Sequence, residues 1–301
     1  MEHLALWQSI PFACILLPLG SAAMTSVLKG KWARRWTFTV LIVLTVLSAA
    51  NVYYMANFNA SYTYMMGHYP APWGNEIRSG MLEALTALFF VIIMLLSLLG
   101  GVKKLDDHVL HDKHSLYYVI ILLLTAALMA QVYTNDIFTA YVFLEIMTMA
   151  ACSLITARTK GRTLVAAMRY MVMNLLGSGL FLLGIILLYD LTGHLLMSNI
   201  KEAVASLHAT GAYDEPLTVV VALISIGLCI KSALFPFHTW VPDAYGYTTP
   251  TSSAILSSLV SKGYIFLLIK IMYRVIGLDV IVSTGIDNVL FVFAIVGMIM
   301  G

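Results

Sequence analysis

The feature that most constrains this chain is an apolar run that cannot be a single uninterrupted helix. From Leu217 it leads into Gly227-Leu-Cys-Ile-Lys231-Ser-Ala-Leu-Phe-Pro236-Phe-His238-Thr-Trp-Val-Pro242-Asp243. Pro236 and Pro242 remove two backbone donors where a membrane helix would still lie in hydrocarbon, so a broken helix is expected over 231–242. In lipid such a break survives only where protein or a water-filled cavity meets the freed backbone groups. The break therefore implies an internal polar path, and Lys231 sits beside it.

With 60% hydrophobic and 11% charged residues in 301, the chain is far more apolar than a soluble domain. Segments long enough to cross about 30 Å of hydrocarbon occur at about 5–28, 36–57, 80–101, 116–134, 136–157, 164–189, 217–246, 250–273 and 281–301. The expected fold class is an all-α polytopic membrane protein with nine spans. Residues 194–215 are polar and carry Ile200, Val204 and Leu207 at helical spacing, which predicts a short amphipathic helix at the interface. The loop 58–79, with Glu76 and Arg78 as its acid–base pair, reads as an ordered interfacial cap.

Cys14, Cys152 and Cys229 are far apart and each lies in an apolar run, so no disulfide framework, metal site or cofactor is expected. Residues 1–28 have no basic start and no small-residue cleavage site, so the first segment is expected to stay. Lys29, Lys31, Arg34, Arg35, Lys103, Lys104, Lys113, Arg158, Lys160 and Arg162 fall on one side of the spans. The other side offers only Arg78, Lys201 and Arg274. The positive-inside rule then predicts cytoplasmic basic loops and an outer N-terminus.

Three ionisable residues lie deep in apolar helices: Glu145, Lys231 and Lys262. At 1.5 Å per residue they sit ~14, ~21 and ~18 Å from the counted helix ends, so all three converge near mid-membrane. A charge there costs at least ~2.5–3.5 kcal/mol, so an unused one is uncommon. One reading is a static Glu145–Lys231 ion pair that locks two helices, with Lys262 snorkelling or bonding a carbonyl. The favoured reading is a proton relay, because burial disfavours an ammonium while a nearby carboxylate favours it, and moving the carboxylate toggles the charge. His238 is placed to hand protons between the lysines, or else to cap the broken helix end.

Among accessory positions, Asp136 reads as a helix N-cap and Glu83 as a partner of Arg78. Arg169 either snorkels or pairs with Glu145 or with an acid on another subunit, and Asp243 closes the broken segment. The Ser- and Thr-rich stretch 248–261 serves close helix packing, water retention near Lys262, or both.

Thr134 to Glu145, Ala167 to Gly184 and Lys231 to Asp243 resemble the antiporter-like proton-conducting membrane subunits of respiratory complex I, Mrp-type sodium/proton antiporters and membrane-bound hydrogenases. The stretch Pro72-Trp-Gly-Asn-Glu-Ile-Arg78 is most similar to the Mrp and hydrogenase branches. The resemblance implies an inverted-repeat helix bundle. Its N-terminal helices would occupy 1–115, a complete first five-helix repeat 116–275, and the start of a second repeat 276–301. It also implies that Glu145 is the modulating glutamate, Lys231 the channel lysine, Lys262 the next lysine and His238 the intervening histidine. Cys152 stands where many relatives carry a tyrosine and reads as packing variation. Val280 to Gly301 is apolar to its last residue, so a fragment or a chain continued by a second polypeptide is expected.

Taken together, these features describe a multi-pass plasma-membrane subunit that moves protons, with sodium left open. Its partners are other membrane subunits and the lipid bilayer, and no nucleic acid. It has no active site of its own, but belongs to an ion-pumping oxidoreductase or a cation/proton antiporter. The alternatives are a structural anchor whose buried charges only lock helices and dock partners, and a membrane enzyme or quinone site. The last lacks paired intramembrane histidines and any ligand cluster.

Overall fold

A computed structural model describes residues 7–58, 61–66, 69, 74–105, 107–158, 161–211 and 213–300. Pro72, Trp73 and Lys160 lie outside the described residues, as do the side chains of Lys103 and Lys104.

Among the described residues, eight helical spans are long and apolar enough to cross a membrane. They begin with α1 (Ile10–Val27), α2 (Gly30–Phe58) and α3 (Met81–Leu105). Next come α4 (His114–Tyr133), α5 (Ile137–Thr156) and α6 (Thr163–Thr192). A shorter helix, α7 (Met197–Thr210), precedes the broken span. That span holds α8 (Asp214–Ser232), a 3-10 turn (Phe237–Trp240) and α9 (Val241–Tyr247). The eighth runs through α10 (Pro250–Ile255), a π-helical segment (Leu256–Val260), α11 (Ser261–Ile271) and a second π segment (Met272–Ile276). The expected ninth span is a pair bent by 77°, α12 (Leu278–Thr284) and α13 (Ile286–Met300), which together are long and apolar enough to make a ninth. Gly285 in the left-handed region, φ +67°, makes the corner.

The core is organised around α4, which is buried on every face from Ile121 to Tyr133 apart from Leu123. A helix apolar all round belongs in the interior. It packs against α1, α2, α3, α5 and α11. Its end is tied down by a short hairpin that hydropathy does not announce. Strands β1 (Tyr62–Met65) and β2 (Glu76–Ser79) pair antiparallel with Tyr64 opposite Ile77. The Asn135 N–H donates to the Glu76 carbonyl at 2.9 Å, and its side-chain amide to Glu76 Oε1 at 2.8 Å. Glu76 thus serves the α4–α5 turn and is not the partner of Arg78, which reaches Ser61 Oγ at 3.5 Å. The expected amphipathic helix is α7, with Met197, Ile200 and Val204 buried. It is anchored to the same turn through Met197 N–H to Asn135 O at 2.8 Å.

Candidate functional site

The site is built where α5, α6 and α8 meet. Helices α6 and α8 can lie close because glycines face each other. A Cβ on Gly227 would stand 2.7 Å from the Gly177 carbonyl oxygen, and one on Gly177 2.8 Å from that of Gly227. Gly184 repeats the device one level along, where a Cβ would stand 2.6 Å from Ile224 Cγ1. Lys231 follows Gly227 by one turn, so this contact holds its stem against α6 and sends its amine toward α5.

Helix α8 ends directly after Lys231. Ala233 takes the left-handed conformation, φ 62°, and Leu234 N–H bonds back to the Cys229 carbonyl at 3.0 Å. The Trp240 indole N–H reaches the Ile230 carbonyl at 3.4 Å, so a side chain from beyond the break meets a freed backbone group. The break lies at 233–236, with Pro236 at its end. Pro242 does not break the helix: it stands in the first turn of α9, where a missing N–H costs nothing.

Lys231 is fully buried, and its Nζ donates to Glu145 Oε1 at 3.1 Å and to Thr148 Oγ1 at 2.9 Å. The Tyr264 ring centroid lies 5.5 Å away, and its hydroxyl is 2.9 Å from Thr148 Oγ1. Glu145 keeps 25% of its side chain exposed and also accepts a hydrogen bond from Ser178 Oγ. Ser178 has a second acceptor, the Asn174 carbonyl at 2.9 Å, and only one hydroxyl proton to share between them. Lys231 and Ser178 thus meet on the same oxygen, Glu145 Oε1, which both hold in one conformation. Thr148, Ser178 and Tyr264 do not stand out in the sequence, because nothing in the hydropathy of these helices separates a hydroxyl at the site from one that merely back-bonds.

Lys262 does not join the buried pair: it is exposed on this chain and its Nζ donates to the Ser257 carbonyl at 2.7 Å, the backbone contact of the alternative reading. His238 is half-buried and stacks on Phe235 with ring centroids 5.7 Å apart, so it joins neither lysine. The buried lysine on the eighth span is Lys270, which lies too near the end of that apolar run to stand out in the sequence. It donates to the Val132 and Thr134 carbonyls at 2.8 and 2.5 Å and closes the end of α4.

The accessory pairings also differ. Glu83 is fully buried and pairs with Arg274 at 2.5 Å, not with Arg78, because the π segment Met272–Ile276 brings that guanidinium over the start of α3. Arg169 pairs with Asp243, not with Glu145, and so ties α6 to α9. Asp136 caps α5, accepting from Thr139 N–H at 2.6 Å. Among the described residues no group of His, Cys, Asp and Glu could hold a metal ion.

Comparison with known proteins gives a consistent family. The profile described as "NADH:quinone oxidoreductase/Mrp antiporter, TM" matches residues 134–301. The NADH-quinone oxidoreductase subunit N of Desulforudis audaxviator is 31% identical over 272 residues, covering 88% of this chain and 52% of that protein. A probable K(+)/H(+) antiporter subunit of Rhizobium meliloti is 26% identical over 275 residues, covering 91% and 49%. A chain of the membrane-bound sulfane sulfur reductase, an archaeal respiratory membrane complex, aligns with a TM-score of 0.84 at 25% identity. That alignment covers 95% of this chain and 57% of the other. The chain spans about half the length of the curated relatives it matches.

Proposed function

The chain belongs to the NADH:quinone oxidoreductase/Mrp antiporter transmembrane family, and from that premise we propose that it is an antiporter-like, proton-translocating subunit of a multi-subunit membrane complex. The observation that carries this reading is the Glu145–Lys231 contact at the broken helix. A fully buried ammonium there has one charged partner, and that partner is partly open and has a second donor in Ser178. With Glu145 on Lys231 the ammonium is favoured, and when the partly exposed Glu145 swings away from it the amine loses its counter-charge and releases a proton. Thr148 and Tyr264 form a hydroxyl pair beside the amine along which that proton can move.

Lys262 and His238 then take up the proton only after a rearrangement, since neither touches Lys231 in this conformation. Residues 116–275 act as one five-helix repeat unit, with 1–115 before it and 276–301 opening a second. The basic loops lie on the cytoplasmic side of a plasma membrane. Sodium as a second cargo has no dedicated site in this scheme.

The test separates assembly from transport. Glu145→Gln and Lys231→Arg are introduced into the intact complex, and proton movement is followed in vesicles with a pH-sensitive dye. Both variants are expected to assemble and both to lose transport. Glu145→Gln keeps a carbonyl acceptor but has no charge to switch, and the guanidinium introduced by Lys231→Arg stays charged and cannot release a proton. Native-rate pumping by Lys231→Arg would make Lys231 a fixed charge and end the relay. Loss of assembly with either variant would favour a static pair, whose breakage costs about 3–5 kcal/mol.

A further inference from the structure

Where α2 and α4 begin, a second polar site plays no part in the relay. A Cβ on Gly30 would stand 3.2 Å from His114 Cβ, so a glycine there is what lets the start of α2 lie against the start of α4. Around that contact Gly30, Lys31, Arg34, Arg35, His111 and His114 line a cavity of about 180 Å³. The rings of His111 and His114 meet edge to face at 5.0 Å, and His114 Nε2 is held by the Val109 carbonyl at 3.0 Å. No described carboxylate forms an ion pair with Lys31, Arg34 or Arg35. A 3-10 turn, His111–Lys113, runs straight into α4 beside this cavity, with the His114 N–H bonded back to the His111 carbonyl.

We propose that this cavity holds the phosphate of an anionic phospholipid. Three cations with no carboxylate partner among the described residues, one of them Arg35 stacked over Trp32 at 5.4 Å, surround the cavity and fix the charge of the ligand. Its lipid nature follows from what continues along α2. Lys31 and Arg35 lie one turn apart, and Ile42 and Val46 prolong the same stripe at helical spacing. Ile42 and Val46 are 52% and 63% exposed, so the phosphate site opens onto an uncovered apolar track where an acyl chain can lie. Trp32 and Trp36, both exposed, stand where indoles favour the membrane–water boundary, at the level of a head group. A soluble anion would use the cations but not the track. Basic clusters between helices at this depth attract acidic head groups, each cation adding to the binding.

The experiment uses the intact complex, stripped of loosely held lipid and exchanged into nanodiscs of phosphatidylglycerol or phosphatidylcholine. Native mass spectrometry then reads the lipid retained on this subunit. The expected result is one retained phosphatidylglycerol, no retained phosphatidylcholine, and a loss of about tenfold in occupancy for Lys31→Gln/Arg34→Gln. A matched control that removes two charges elsewhere, Arg158→Gln/Arg162→Gln, should keep the lipid. Arg35→Gln alone, an exposed change, should give a smaller selective loss if the double variant assembles poorly. Three results would each overturn the proposal: equal retention of both lipids, equal loss in the control, or displacement of the lipid by inorganic phosphate.

Discussion

Replacing Gly227 by alanine tests whether the α6–α8 contact sets the geometry of the relay. The added Cβ would stand 2.7 Å from the Gly177 carbonyl oxygen and 2.8 Å from Phe181 N, both backbone atoms of α6 that cannot rotate away. Ordinary contact begins at 3.4 Å, so α8 must retreat by about 0.7 Å. Overpacking of this kind costs about 1–3 kcal/mol. Lys231 is one turn along the same helix, and its 3.1 Å bond to Glu145 stretches past hydrogen-bonding range if the shift is passed on in full. The assays are thermal unfolding of the purified complex and dye-monitored proton transport at matched subunit levels. Gly227→Ala is expected to lower both stability and transport. Gly179→Ala is the control on α6, where a Cβ would meet nothing within 4 Å, and should leave both unchanged. A Gly227→Ala variant indistinguishable from Gly179→Ala would refute the close approach of α6 and α8.

Other outcomes follow from the pairings near the helix ends. Arg274→Met should destabilise the protein by about 3–5 kcal/mol, because it leaves the buried Glu83 carboxylate without its partner, whereas Arg78→Ala should change stability by less than about 0.5 kcal/mol. Thermal shifts of the two variants decide which arginine holds Glu83, and equal shifts would remove the assignment. Lys270→Met should cost about 1–3 kcal/mol by leaving the Val132 and Thr134 carbonyls unmet, read as faster hydrogen exchange at the end of α4. Unchanged exchange there would show that the amine does not close that helix. For orientation, a membrane-impermeant thiol reagent added to intact cells should label a cysteine placed at Ser61 and not one placed at Lys113. The reverse pattern would invert the topology.

What the sequence determined here is what can be read along one dimension. Hydrocarbon thickness and the cost of unmet backbone groups act locally, so the first eight spans, the break after Lys231 and the amphipathic helix at Met197–Thr210 were legible from hydropathy, proline and helical spacing. Glu145 and Lys231 were legible for the same reason, since a charge in an apolar run stands out wherever the run goes. Partners were decided in three dimensions. Lys262 stands out in the middle of its apolar run and Lys270 does not, yet eight residues at about 100° each leave them roughly 80° apart around a helix. Only packing against α4 determines that Lys270 faces inward and Lys262 outward. Arg274 lies in the π segment at 272–276, beyond Lys270, where the turn is wider than an α-turn, and it is Arg274 rather than Arg78 that lies on Glu83. The four-residue strands of the hairpin carry too little periodicity to be seen locally. They exist because the polar backbone of the α4–α5 turn needs hydrogen-bond partners, a requirement that appears only once those two helices are side by side.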